Sequence, residues 1–162
     1  MKNLLLLLLI PLLGIPQLAE AQKDRKLQKK YLPKELFKQK LYFGLSKDDL
    51  LKKFPKASKE KSSLDFRETY LLGPQSSKFD EVICYVDAER NFPVYEFILV
   101  LSEDENNEAI GRQLFGPPNY ENKEWRFSPE TTGLSYTIAA WTFQNKLVLA
   151  AAMPGTEWEE GF

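Results

Sequence analysis

Histidine is absent from all 162 residues, and cysteine occurs once, at Cys84. Without histidine there is no Ser–His or Cys–His nucleophile pair, no imidazole metal ligand and no imidazole proton shuttle. A single cysteine excludes an intramolecular disulfide, a thiolate zinc cluster and an iron–sulfur site. The chain also lacks Gly-x-Ser-x-Gly, a phosphate-binding glycine loop, His-Glu-x-x-His and any Asn-x-Ser/Thr sequon. Each of those motifs places a particular reactive or modified group, so their absence narrows the chemistry. Catalysis here would have to rest on carboxylates.

Net charge is close to zero, at −1, but it is unevenly spread. Residues 22–61 carry fourteen Lys/Arg against five Asp/Glu, and residues 62–162 carry seven against seventeen. A split of this kind predicts segments or faces with different tasks.

The first residues read as a targeting signal. Lys2 supplies the basic start, and residues 4–15 are nearly all apolar. That run is shorter than the roughly 20 residues of a membrane-spanning helix. Ala19-Glu20-Ala21 fits a small-x-small cleavage site, so cleavage is expected before Gln22. The alternative is an uncleaved membrane anchor. No cysteine near the cut offers a lipid attachment point. The expected product is an exported chain, periplasmic or secreted, holding all 21 aromatic residues.

Residues 22–40 read as a frayed basic helical lead, with Leu36, Phe37 and Leu41 on one face after Pro33. Gly44 breaks the pattern, and Ser46 looks like an N-cap with Asp49 three residues on. Leu50, Leu51 and Phe54 line that helix until Pro55 stops it. Leu64, Phe66, Tyr70 and Leu72 then alternate as one side of a strand. A strand over residues 81–87 aligns Val82, Cys84 and Val86. Val94 to Leu101 is apolar on both faces, as expected of a central strand. An acidic stretch from Ser102 opens the next helix, which carries Ile110, Leu114 and Phe115 and ends at Gly116-Pro117. Trp125 to Phe127 is a short strand, residues 129–133 a turn, and residues 134–143 and 146–153 a hairpin about Gln144-Asn145.

The order helix, polar linker, strand, hairpin occurs twice. Phe54 to Phe66 and Phe115 to Phe127 are each twelve residues apart. The expected fold is α+β: an antiparallel β-sheet with helices on one face, built from two tandem helix-plus-hairpin repeats over residues 41–101 and 102–153, then an acidic tail. Ala150 and Ala152 are expected to let a helix lie close to the sheet, leaving an open, partly apolar opposite face.

Phe43-Gly44-Leu45-Ser46-Lys47-Asp48-Asp49-Leu50-Leu51 and the run from Ile110 into Phe115-Gly116-Pro117-Pro118-Asn119 carry a family resemblance. They resemble the helix starts of beta-lactamase inhibitor protein-like domains and of the SmpA/OmlA-type outer-membrane assembly domain, over residues 41–153. This sequence departs from both, lacking the lipoprotein cysteine of the one and the disulfides of the other. The resemblance implies binding to protein partners rather than catalysis, and it transfers no site residues.

Cys84, in an alternating strand flanked by acids, reads as a buried small hydrophobe, the alternative being a disulfide-linked dimer. Ser58-Lys59-Glu60-Lys61 matches the Ser-x-x-Lys nucleophile motif but sits in a charged linker without its companion motifs. The oxygen-rich stretch from Glu103 to Glu108 lacks the turn glycine of a calcium loop and suits a helix start instead. Lys26, Lys29, Lys30 and Lys34 are either a solvated face or a contact for anionic lipid, anionic polymer or an acidic partner. Export argues against nucleic acid. Trp125, Tyr136, Trp141 and Phe143 are core, or in part an exposed aromatic platform for a protein partner.

Together these readings predict a non-enzymatic, cofactor-free binding or assembly module that contacts another protein of the cell envelope. The alternatives are a small carboxylate-dependent hydrolase and a protein held on anionic envelope components by its basic segment.

Overall fold

The computed structural model describes residues 23–61, 63–88, 93–103 and 105–162. The leader and its cleavage site, and part of the loop before Pro93, lie outside the described residues. No helix among the described residues is long and apolar enough to cross a membrane.

A short helix at residues 23–28, α1, is followed by α2 (Lys34–Lys38) and α3 (Lys47–Lys53). Then come β1 (Ser58–Glu60), β2 (Arg67–Leu71), β3 (Phe79–Asp87), β4 (Val94–Leu101) and α4 (Asn107–Phe115). The chain closes with β5 (Glu124–Phe127), α5 (Pro129–Thr132), β6 (Ile138–Phe143) and β7 (Lys146–Ala151). The strands form one seven-stranded sheet in the order β1-β2-β3-β4-β7-β6-β5. Every pairing is antiparallel. The fold is α+β with its helices packed on one sheet face. Helix α3 is followed by the four strands β1–β4 on one side of the β4–β7 seam, and α4 by the three strands β5–β7 on the other.

Local chemistry explains most boundaries. Ser46 caps α3, its hydroxyl accepting from the Asp49 N–H at 3.2 Å. Helix α4 starts later than the acidic stretch suggests, because Asn106 is the cap and accepts from the Ala109 N–H at 2.8 Å. It ends at Gly116, where φ is +79°. Strand β2 is shorter than its alternation predicts, leaving Leu64 and Phe66 exposed. The Ser58–Glu60 segment is no linker: it forms the outer strand β1 and pairs with β2. All three of its residues are exposed, so no apolar alternation announces it.

The core lies between the helices and one sheet face. It combines Leu32, Leu36, Leu50 and Ile110 with Cys84, Phe97, Leu99, Leu147 and Leu149. The close helix approach comes from Gly111 of α4, not from Ala150. A Cβ there would stand 2.4 Å from Cη2 of Trp125. Ala150 pairs with Glu96 on the opposite face.

The basic lead is packed rather than frayed. Gln28 is 1% exposed. Its amide nitrogen donates to the Phe43 carbonyl at 3.1 Å and the Tyr136 hydroxyl oxygen at 2.6 Å. Its side-chain oxygen accepts from the Phe43 N–H at 2.8 Å. One side chain thus joins α1, the loop before α3 and the loop before β6.

Gln28→Ala leaves both Phe43 backbone groups without their partner, and stability should fall by about 2 kcal/mol. The check is a lower urea midpoint at unchanged slope. Gly111→Ala forces Trp125 aside and should lower stability by about 1–3 kcal/mol. An unshifted thermal midpoint would contradict that close approach.

Candidate functional site

Strand β4 is apolar on both faces, and its second face leads to the site. Leu71, Ile83, Ile98, Val148 and Trp141 are successive Cα partners across β2, β3, β4, β7 and β6. Their sequence neighbours Tyr70, Val82, Phe97, Leu147 and Ala140 belong to the helix-side core. Because strand side chains alternate, the row itself points away from the helices. Leu71, Ile83, Ile98 and Trp141 are only half-buried, and Val148 is buried beneath them. Half-buried Val100 and Phe143, which is 57% exposed, continue the surface beside the row. Five strands at their usual spacing make it about 19 Å long.

The rest of this face is covered by the chain's own tail, residues 154–162. A register break helps to place it: Tyr85 pairs with Glu96 but Val86 pairs with Val94, so Tyr95 is the extra residue of a bulge. The bulge turns Tyr95 to the same side as Glu96. The Tyr95 hydroxyl donates to Glu157 Oε2 at 2.7 Å. The Trp158 Nε1–H donates to Glu96 Oε2 at 2.8 Å. Arg67 donates to both Glu157 oxygens, at 3.3 and 3.2 Å, and lies 3.9 Å from the centre of the Tyr85 ring. Its Nε is buried without a hydrogen-bond partner.

The far end of the tail joins the end of the apolar row. Trp158 meets Trp141 edge-on at 5.9 Å between ring centres, and Phe162 lies 5.2 Å from Trp158. Arg126 donates to the Phe162 main-chain oxygen at 2.9 Å and pairs with Glu124 at 3.0 Å. Trp141, Trp158, Phe162, Arg126 and Glu124 line a shallow cavity of about 300 Å³.

The chain matches no family model, no curated protein and no solved structure.

The structure divides the aromatic candidates. Trp125 is 0% exposed, and its Nε1–H donates to the Gly116 carbonyl at 2.8 Å. Tyr136 is 5% exposed and held by Gln28. Both are core residues and present no surface to a partner, which corrects their place in the expected platform. Trp141 and Phe143 do lie on the sheet's outer face. Sequence reasoning missed Leu71, Ile83, Ile98 and Val148. The two-faced pattern of β4 was the signal for Ile98 and Val100.

The other candidates are also placed. Cys84 is fully buried, burial pushes its thiol pKa up, and its sulfur is withdrawn from a second chain. In the acidic stretch, Glu108 pairs with Arg112 at 2.8 Å. Among the described residues no group of three His, Cys, Asp or Glu is placed to hold a metal ion. Lys26, Lys29, Lys30 and Lys34 are all exposed. Lys29, Lys30 and Lys34 border one groove, and Lys26 stands outside its lining.

Glu96 is the distinctive ionisable group. It is 4% exposed, and its pKa is raised to about 7. Burial is the main cause and the Glu157 charge adds to it, while the Trp158 N–H and the Arg67 charge oppose. The folded value lies above the ordinary 4.5, so the folded protein binds the proton more tightly. Glu96 therefore contributes most to stability below about pH 4.5, and that contribution is lost as pH rises through about 7. A shift of this size corresponds to at most about 3 kcal/mol. Glu96→Gln keeps an oxygen for Trp158 and removes the titration. The variant should show a flatter stability profile than the parent between about pH 5 and about pH 8. Parallel profiles from denaturant titrations would contradict the assignment.

Proposed function

We propose that this protein is an exported, non-enzymatic binding module that takes another protein of the cell envelope on the open half of its sheet face. The observation that carries this reading is the in-register apolar row Leu71, Ile83, Ile98, Val148 and Trp141. A contiguous apolar strip left beside a face the chain otherwise covers itself is the usual mark of a protein contact. Its length of about 19 Å matches a partner helix of about 13 residues laid across the strands. Trp141 at one end is the type of anchor on which binding energy concentrates.

The carboxylate arrangement supports binding over hydrolysis. Glu96 and Glu157 are the carboxylates that meet on this face. Glu96 lies beneath Trp158, and Glu157 is held by Arg67 and Tyr95. Both carboxylates act to dock the tail. The basic leader with its apolar run supports export. The resemblance of the residue 43–51 helix start to outer-membrane assembly and inhibitor-type domains agrees with a protein partner.

Ile98→Lys places a charge at the centre of the row without touching the helix-side core. Capture of the envelope partner by the mature protein should fall at least about tenfold, a loss of about 1.4 kcal/mol. Lys52→Glu on α3 should leave capture unchanged. Equal capture by the parent and a folded Ile98→Lys protein would overturn the reading.

A further inference from the structure

A second surface lies on the opposite, helix-bearing side of the sheet. The turn after α1, the first residue of α2, the start of β3 and one side of α4 enclose a groove of about 290 Å³. That volume corresponds to roughly ten water molecules, more than a lone phosphate needs. Four lysines line it: Lys29, Lys30, Lys34 and Lys78. Glu35 is the only acid in the lining. Among the described residues none of the four lysines has a carboxylate partner within salt-bridge distance. The apolar part of the lining includes Leu32, Phe79, Ile110 and Leu114.

The fold brings Lys78 beside Lys29, Lys30 and Lys34, which are near one another in sequence. Lys29 and Lys30 are exposed in the turn held down by Gln28 and by Leu32, which is buried. Lys34 opens α2 after Pro33. Lys78 precedes Phe79, whose ring is buried in the core. Its backbone N–H donates to the Ser76 hydroxyl oxygen at 3.2 Å, which fixes the approach to β3. This is not a single helix face, because its charges come from three separate segments and border a groove floored by buried Leu32, Phe79 and Ile110 and edged by half-buried Leu114.

We propose that this groove binds a single-chain anionic amphiphile, a phosphomonoester carrying an alkyl chain. A net lining charge of +3, from four lysines and Glu35, complements a dianionic headgroup better than a single carboxylate. The apolar patch offers the first part of the chain a place out of water. The site is separate from the protein-binding face, so either proposal can fail without the other.

The test is calorimetric titration of the mature protein with decyl phosphate below its micelle-forming concentration. Inorganic phosphate and neutral decyl maltoside serve as charge-only and chain-only probes. Decyl phosphate should bind at least about tenfold more tightly than either. Affinity should drop by at least about tenfold in the Lys30→Gln/Lys78→Gln double variant, and should weaken as salt rises from about 50 to about 500 mM. Lys30 is exposed and Lys78 half-buried, and an unchanged thermal midpoint will show that the variant is folded. Inorganic phosphate binding as tightly as decyl phosphate would reduce the groove to an anion site and overturn the proposal. Decyl maltoside binding equally well, an unaffected double variant, or no heat with decyl phosphate would each overturn it too.

Discussion

The middle of this sheet is apolar on both sides, and both sides must be kept from water. Helices satisfy one side in the ordinary way, with Leu36, Leu50 and Ile110 packed over Phe97, Leu99 and Leu149. The other side has no helix. The chain instead returns its last nine residues across it, residues 154–162. They are held by carboxylate contacts: Tyr95 and Arg67 to Glu157, and Trp158 to Glu96. Small Ala150, the Cα partner of Glu96, leaves room for that indole. The tail covers the half of the face nearest the bulge at Tyr95. The remaining strip is the basis of the functional proposal, and it exists because the cover is incomplete.

The two proposed surfaces lie on opposite sides of the same sheet. A protein on the Ile98 strip and an anionic amphiphile among Lys29, Lys30, Lys34 and Lys78 would not compete for space. This arrangement also gives the charge asymmetry a location. Among the described residues, Lys47 and Lys59 of the basic first part of the chain pair with Glu68 of the acidic remainder. The groove collects part of the lysine excess.

Much of the fold was legible in the sequence wherever a local rule governs it. Ser46 before Asp49 marked a helix start, and Val94 to Leu101 marked a central strand to its full length. Strand β1 was hidden because an edge strand exposed on both faces has no apolar period. The packing of α1 was hidden because Gln28 acts through partners 15 and 108 residues away. Tyr136 looked like a platform residue for the same reason. The site was half legible: Trp141 and Phe143 lie on the outer face as their parity suggests, whereas the row they extend depends on the register of four other strands. The bulge at Tyr95 reverses parity locally, which no alternation rule anticipates.

The central claim is that the outer sheet face is divided between the tail and a protein partner. Site-directed photocrosslinking in the native envelope tests it most directly. A benzophenone side chain would replace Ile98 on the open strip, with Lys52 on α3 as the control position. The account predicts a discrete crosslinked adduct with a second protein from position 98 and none from position 52. No adduct at 98 from a folded, exported protein, or equal yields at both positions, would contradict it.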